Sequence, residues 1–372
     1  MSVAMRSGRF ASKLGLEPQG RLVGLLHDLG KYSDEFQRYI RSAEGMINPD
    51  EDDYVDALGL KGKIDHSTAG AHHVFTHLRD RGDRGRLVGQ FLSMCIASHH
   101  SGLIDCIDPG GKDVFTARMN KADENMHYNQ AITRLEDGIR KESERLLRSE
   151  ETESGLVNGL RRAHGGEKLP TISHFMQGLL VRFLFSCLID ADRLDAADFE
   201  EPQLGELRNN GQYRPWDELI SRLEKRLSEF TERNEVDRLR GEVSDACRRR
   251  ASQKKGVYLL TVPTGGGKTL ASLRFALHHA REHGLDRIIY VIPFTSIIDQ
   301  NAEEVRKFLE DRGADGTYLD RIVLEHHSNL TPDEETHTQR VLAQDWDAPV
   351  VFTTSVQVLD ALFCAGTRST MS

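Results

Sequence analysis

The stretch YLLTVPTGGGKTLAS, residues 258–272, constrains this chain more than any other. An apolar run enters Gly265-Gly266-Gly267-Lys268-Thr269, and an amphipathic run follows. Glycines let backbone N–H groups close around phosphate oxygens. Lys268 is spaced to reach the β and γ phosphates and Thr269 to ligate Mg²⁺, while the following helix start adds a field that favours an anion. Thr264, Gly265, Gly266, Gly267, Lys268 and Thr269 are therefore the candidate ATP site, with ATP and Mg²⁺ as its cofactors. The leading glycine of the usual G-x-x-x-x-G-K-[ST] spacing is absent, and Val262 stands in its place. A strand, loop and helix of this kind require a sheet behind them.

The surrounding pattern supplies one. GVYLLTV (256–262), RIIYVIP (287–293), RIVLEH (321–326) and APVVFTT (348–354) read as strands. TLASLRFALHHARE (269–282) and SIIDQNAEEVRKFLED (296–311) read as helices. Alternation with continuously apolar strands predicts a parallel α/β sheet. The preceding 200 residues differ. Apolar positions recur at helical spacing over 8–30, where Gly30 ends the run, and over 66–80, 87–100 and 172–197. Residues 44–56 are an acidic, turn-rich loop and 105–115 a Pro-Gly-Gly turn cluster. The expected organisation is an all-α domain over 1–205, a charged linker helix region over 206–250, and an α/β lobe over 251–372.

Composition excludes several classes. No run of about 18 apolar residues appears, so no membrane span or membrane partner is expected. The start of the chain lacks the apolar core and cleavage site of a secretory leader. Five cysteines, Cys95, Cys106, Cys187, Cys247 and Cys364, are scattered without a C-x-x-C pair. That argues against a disulfide framework or thiolate zinc site and for a reducing cytoplasm. A net charge of -9 leaves nucleic-acid contact to local patches.

Histidine is abundant, at 16 residues, and many of them fall in the first 100. LLHDLGK sets His27 beside Asp28, with Lys31 three residues on. His66 follows in KIDHSTAG, His99 and His100 in ASHHSGL, and Asp190 and Asp192 in SCLIDADRL. Imidazole nitrogens with carboxylate oxygens suit Mn, Fe, Ni or Co, with Mg on the oxygen-rich side. A carboxylate has two oxygens and can bridge two ions, and a pair about 3.5–4 Å apart is a clamp for phosphodiester cleavage. Lys31 is spaced to offer an ammonium to a phosphate. Residues two apart on a helix point roughly 200° apart, so one of Asp190 and Asp192 faces such a site. Asp192 continues the stripe Val181, Leu184, Phe185, Leu188 and is favoured. His72, His73 and His77, and the pairs His278-His279 and His326-His327, read as packing or solvated residues.

The order HD…H…HH…D resembles the HD phosphohydrolase superfamily. Within it, the chain is similar to the HD nuclease domain of the CRISPR-associated type I nuclease-helicase. The resemblance implies that His27, Asp28, His66, His99, His100 and a later Asp hold one or two divalent ions, with Asp28 and Lys31 catalytic. It also implies an earlier His, upstream of the HD pair, that this sequence does not contain. The chain is therefore expected to be clipped at its start. One ion site, with Asp28, His66, His99 and His100, is expected to be strong, and the other impaired.

The second half extends the likeness. The phosphate loop, with Pro263-Thr264-Gly265, resembles motif I of superfamily 2 helicases. VIPFTSIIDQ resembles the segment in which a loop hydroxyl, here Thr295, touches the nucleic-acid backbone, and LEHHSN and FTTSVQVLDAL look like later elements of that lobe. Thr353, Thr354 and Ser355 are further candidate DNA contacts, with helix capping as the competing role. A strand-end Asp-Glu pair is expected after Thr-Thr-Ser and does not occur, so the helicase lobe is expected to be incomplete and poor at hydrolysis. Asp333-Glu334-Glu335 is excluded as that pair because it precedes the segment. The function implied is a metal-dependent single-stranded DNA nuclease coupled to an ATP-dependent helicase, partnered by an RNA-guided CRISPR surveillance complex. The alternatives are an HD nucleotide phosphohydrolase with a fused P-loop domain, or a non-catalytic ATP- and DNA-binding fragment.

Overall fold

The computed structural model describes residues 1–46, 64–327, 342, 343 and 346–363. Most of the acidic 44–56 stretch, Asp333-Glu334-Glu335 and Cys364 lie outside those residues. The chain divides into two compact units that part between Glu200 and Glu201.

The first unit is all α among its described residues. Where the sequence suggests one helical run over 8–30, there are two helices, Ser2–Ser12 and Glu17–Leu26, broken at a turn containing Gly15. The two pack closely because Gly20 and Gly24 face Ala11 and Ala4; an added methyl would come within 2.6 Å and 2.9 Å of those residues. Around them pack Ser67–Arg79, Gly82–Ser98, Glu150–His164 and the long Pro170–Glu200. Leu22, Val23, Leu26, Leu92, Ile96, Leu184 and Leu188 form one buried core. Pro170–Glu200 is long and apolar enough by length and composition to cross a bilayer, but it contributes Val181, Leu184, Phe185 and Leu188 to this core.

The second unit holds a three-stranded parallel sheet, ordered β1-β3-β2, with β1 Ile288–Val291, β2 Val323–His326 and β3 Val350–Thr353. Helices Lys268–His283 and Thr295–Leu309 pack on it. Two expectations change here. GVYLLTV forms no strand and pairs with none among the described residues, and Val257 and Leu259 are over 90% exposed. Apolar composition made it strand-like; pairing depends on a neighbour. The region read as a linker folds into the unit instead. Helix Trp216–Ser228 buries Leu219, Ile220 and Leu223 against Leu273, Leu277, Ile298 and Phe352. Its charge pattern is that of an amphipathic helix with one apolar stripe. The next helix, Glu235–Arg250, is held by ionic contacts: buried Arg274 grips Glu224 at 2.7 and 2.6 Å and Asp245 at 2.7 Å.

Candidate metal centre and nucleotide loop

The helix Glu17–Leu26 ends on His27, and the chain turns through Asp28 into a short 3₁₀ turn, Leu29–Tyr32. Apolar burial of Leu22, Val23 and Leu26 fixes the face from which His27 emerges. The Gly30 amide donates to the carbonyl of His66 at 3.1 Å, so the HD turn sits on the start of Ser67–Arg79. His99 and His100 follow the end of Gly82–Ser98. Asp192 stands one turn beyond buried Leu188.

These four segments converge. Asp28, His66, His99 and His100 bring one donor atom each within 4.8 Å of one another, and so do His27, Asp28 and Asp192. Asp28 belongs to both groups and divides its oxygens between them. Its Oδ1 lies 3.4 Å from His99 Nε2 and 3.8 Å from His66 Nε2. Its Oδ2 lies 3.1 Å from His27 Nε2 and 2.6 Å from Lys31 Nζ. Asp192 Oδ1 is 3.2 Å from His27 Nε2, whereas Asp190 is exposed and accepts from Ser186 at 3.5 Å. The geometry thus separates the two aspartates in the direction that the apolar stripe suggests. Lys31 faces Asp28 rather than standing apart from it.

The tautomers follow from the outer bonds. A carbonyl only accepts, so each Nδ1 that meets one must carry the proton. Nδ1 of His27 donates to Gly24 O at 3.0 Å, that of His66 to Ile64 O at 3.3 Å and that of His99 to Ile96 O at 2.7 Å. All three therefore turn Nε2 toward Asp28: in His27 it carries a proton donated to the Asp28 and Asp192 carboxylates, a proton that a metal ion would displace. His66 and His100 meet Nε2 to Nε2 at 2.5 Å.

The electrostatics suit cations. Burial raises the cost of charge on Asp28, but His27, His99 and Lys31 outweigh it and hold the carboxyl well below the usual range. Burial likewise opposes ionisation of Asp192, and its bond to His27 lowers it. Burial and the neighbouring rings of His99 and His66 bring His100 down to about 4, and burial lowers His66. Burial disfavours charge on His27 too, yet the carboxylates of Asp28 and Asp192 raise it to about 10. Asp28 Oδ1 and His99 Nε2 are buried without completing a hydrogen bond to any partner. A buried acceptor left unpaired is costly. These donors fit a divalent ion with mixed nitrogen and oxygen ligands.

In the second unit the loop before Lys268–His283 has Gly265 at φ +82° and Gly267 at φ +77°, which only glycine adopts readily. Lys268 Nζ donates to Val262 O at 2.9 Å, Arg240 Nε to Gly265 O at 2.8 Å, and Thr269 Oγ1 to Asn301 Oδ1 at 2.9 Å. Thr264 and Lys268 are exposed. Of the candidate DNA contacts, Thr295 opens the helix Thr295–Leu309. Thr353 does not qualify: it is fully buried on the central strand β3, and its hydroxyl donates to His326 O at 2.8 Å. Thr354 caps the next helix, accepting from the Gln357 amide at 3.2 Å, and Ser355 is exposed.

Sequence reasoning took Gly30 only as the end of a helical run, although a glycine two residues after an HD pair is a readable signal for close backbone approach. It also missed Arg240, which touches the phosphate loop from a helix too polar to suggest contact.

Comparison with known proteins agrees with both halves. The family described as Cas3, HD domain matches residues 17–182, and that described as Type III restriction enzyme, res subunit matches 217–362. A curated CRISPR-associated nuclease/helicase Cas3 from Haloferax volcanii is 27% identical over 95% of this chain. In its two halves the chain is thus similar to CRISPR-associated HD nuclease–helicases. It spans about two fifths, 41%, of the length of that relative. Among solved structures, T. fusca Cas3 aligns over 97% of this chain and 41% of its own, at 16% identity and a TM-score of 0.49. A structure described as a CRISPR-associated protein aligns over 97% and 43%, at 12% identity and a TM-score of 0.47. The fold class is an all-α HD-type domain followed by a RecA-like P-loop lobe.

Proposed function

We propose that the chain contributes a metal-dependent nuclease acting on single-stranded DNA, coupled to a nucleotide-binding helicase lobe, in CRISPR antiviral defence in the cytoplasm. The observation that carries this reading is Asp28. One carboxylate presents a different oxygen to each of two donor groups that come from segments up to 165 residues apart.

His66, His99, His100 and Oδ1 of Asp28 would hold one ion; His27, Asp192 and Oδ2 of Asp28 would contribute to a second. Mn, Fe, Ni or Co match the nitrogen-rich set better than Mg. When bound, such ions activate water and stabilise charge on a phosphodiester. The protein's own contribution is positional. Three Nδ1 tethers hold the rings so that no reorganisation is needed at reaction. Lys31, 37% exposed at the side chain, stands beside Asp28 where its ammonium can turn to a phosphate oxygen. In the lobe, Thr264 to Thr269 would cradle the phosphates of ATP with Mg²⁺, and Lys268 would exchange the Val262 carbonyl for a phosphate. Thr295, Thr354 and Ser355 are the DNA contacts we retain, and an RNA-guided surveillance complex the partner.

The test is cleavage of single-stranded DNA against a panel of nucleotides, with Mn²⁺ or Ni²⁺. Cleavage of the DNA, lost in Asp28→Ala, supports the reading. Turnover of nucleotides with DNA untouched would replace it with a nucleotide phosphohydrolase.

A further inference from the structure

His66 caps the start of Ser67–Arg79, and His73 lies about two turns, or 10 Å, further along the same helix. There a cavity of about 240 Å³ opens between that helix, Tyr128 and helix Asp137–Arg148. It does not include any residue of the metal centre. His73 lines it and is 4% exposed. Its Nδ1 is 2.9 Å from the Tyr128 hydroxyl, while its Nε2 is buried without a partner.

The walls are cationic. Arg81, Arg140 and Arg148 line the cavity against one carboxylate, Glu144, which Arg148 pairs at 3.3 Å. Arg81 spends Nη1 on Leu147 O at 2.6 Å, and Arg140 spends Nη2 on Thr133 O and Leu135 O, both at 3.1 Å. Those bonds fix two guanidiniums, and each has five N–H donors in all. Burial, together with His77, His72 and Arg140, lowers His73 to about 3, so the ring is neutral at ordinary pH. When the Tyr128 O–H donates to Nδ1, the ring proton sits on Nε2, which is then one more donor. Apart from Glu144 and His77, whose Nδ1–H is spent on His73 O at 2.8 Å, the polar groups named here suit an oxyanion. A cation on the i, i+4 pair His73 and His77 would face three guanidiniums.

We propose that this cavity is a phosphoryl-binding site, in which Arg81, Arg140 and Nε2–H of His73 hold the oxygens of a phosphate. Its volume is below the roughly 300–1,000 Å³ of pockets for drug-sized ligands, which suits inorganic phosphate or the terminal phosphate of a nucleic-acid strand rather than a polymer interior. The site stands independently of the nuclease reading.

The experiment uses the full chain carrying Asp28→Ala and Lys268→Ala, stripped of metal, so that the other phosphate-attracting places are silenced. Inorganic phosphate is titrated by calorimetry and by ³¹P line broadening. Binding is expected, weakened roughly tenfold or more by Arg140→Gln, because a charge-assisted bond is lost. Tyr128→Phe, the milder variant, weakens binding severalfold through the tautomer while leaving the fold intact, and Lys141→Gln changes nothing. A dinucleotide with and without a 5′ phosphate separates the sources. Tighter binding of the phosphorylated form assigns a strand end; binding of inorganic phosphate alone assigns the free anion. The proposal is overturned when no phosphate binds in this background, when both variants bind it unchanged, or when Zn²⁺ binds to the His73–His77 pair in its place.

Discussion

The amide of Gly30 donates to the carbonyl of His66 at 3.1 Å, and this bond joins the turn carrying Asp28 to the helix start carrying His66. A methyl on residue 30 would lie 2.4 Å from that carbonyl oxygen and 2.5 Å from His66 Cα. Both are backbone atoms and cannot swing aside. Gly30→Ala is therefore expected to part the two ligands and weaken Mn²⁺ binding about 10–100-fold, as loss of a supporting shell does. Calorimetry against Gly138→Ala, where an added methyl meets nothing within 4 Å, checks it. Equal affinities in the two variants would refute the role given to Gly30.

The shared carboxylate makes a sharper forecast. Asp28→Ala should remove DNA cleavage by at least about 100-fold while nucleotide binding persists, and Lys268→Ala should do the reverse. Asp192→Asn should reduce metal stoichiometry or affinity, and Asp190→Asn should not. Measuring cleavage, metal binding and ATP binding on the four variants separates these outcomes; parallel losses of both activities would argue against separate sites.

Glu310 links the second unit to pH. It is buried, accepts from the Ile322 and Val323 amides at 3.0 and 2.7 Å, and burial raises it to about 7 despite those bonds. A carboxyl whose folded value exceeds its unfolded one binds its proton more tightly when folded. Its stabilising effect is whole below the ordinary range near 4.5 and is lost as pH rises through about 7. The difference is on the order of 2–3 kcal/mol. Glu310→Gln keeps an acceptor for both amides without the charge, so its unfolding in urea should vary less between pH 5 and pH 8. Matching pH slopes for variant and parent would count against this.

The hydroxyls of β3 and the next helix should act on stability. Thr353→Val removes the hydroxyl's bond to His326 O from a buried site and is expected to cost about 1 kcal/mol. Thr354→Ala removes a cap worth about 1 kcal/mol. Single-stranded DNA affinity should be unchanged in Thr353→Val at a temperature where it is folded; a selective loss of DNA binding there would restore Thr353 as a contact.

Much of this molecule was legible in its sequence. The all-α and α/β halves, the phosphate loop and three of the four strands follow from local periodicity and spacing, which nearest neighbours in the chain largely determine, whereas the HD, HH and later Asp positions are singled out as a set by the family resemblance. Tertiary structure decided the rest. It chose which oxygen of Asp28 meets which imidazole, set Lys31 on Asp28, and drew Trp216–Ser228 into a core. It also buried Thr353 between two strands and left Val257 and Leu259 exposed. Each of these depends on what another segment, tens to hundreds of residues away, packs against the position, and no local pattern carries that information.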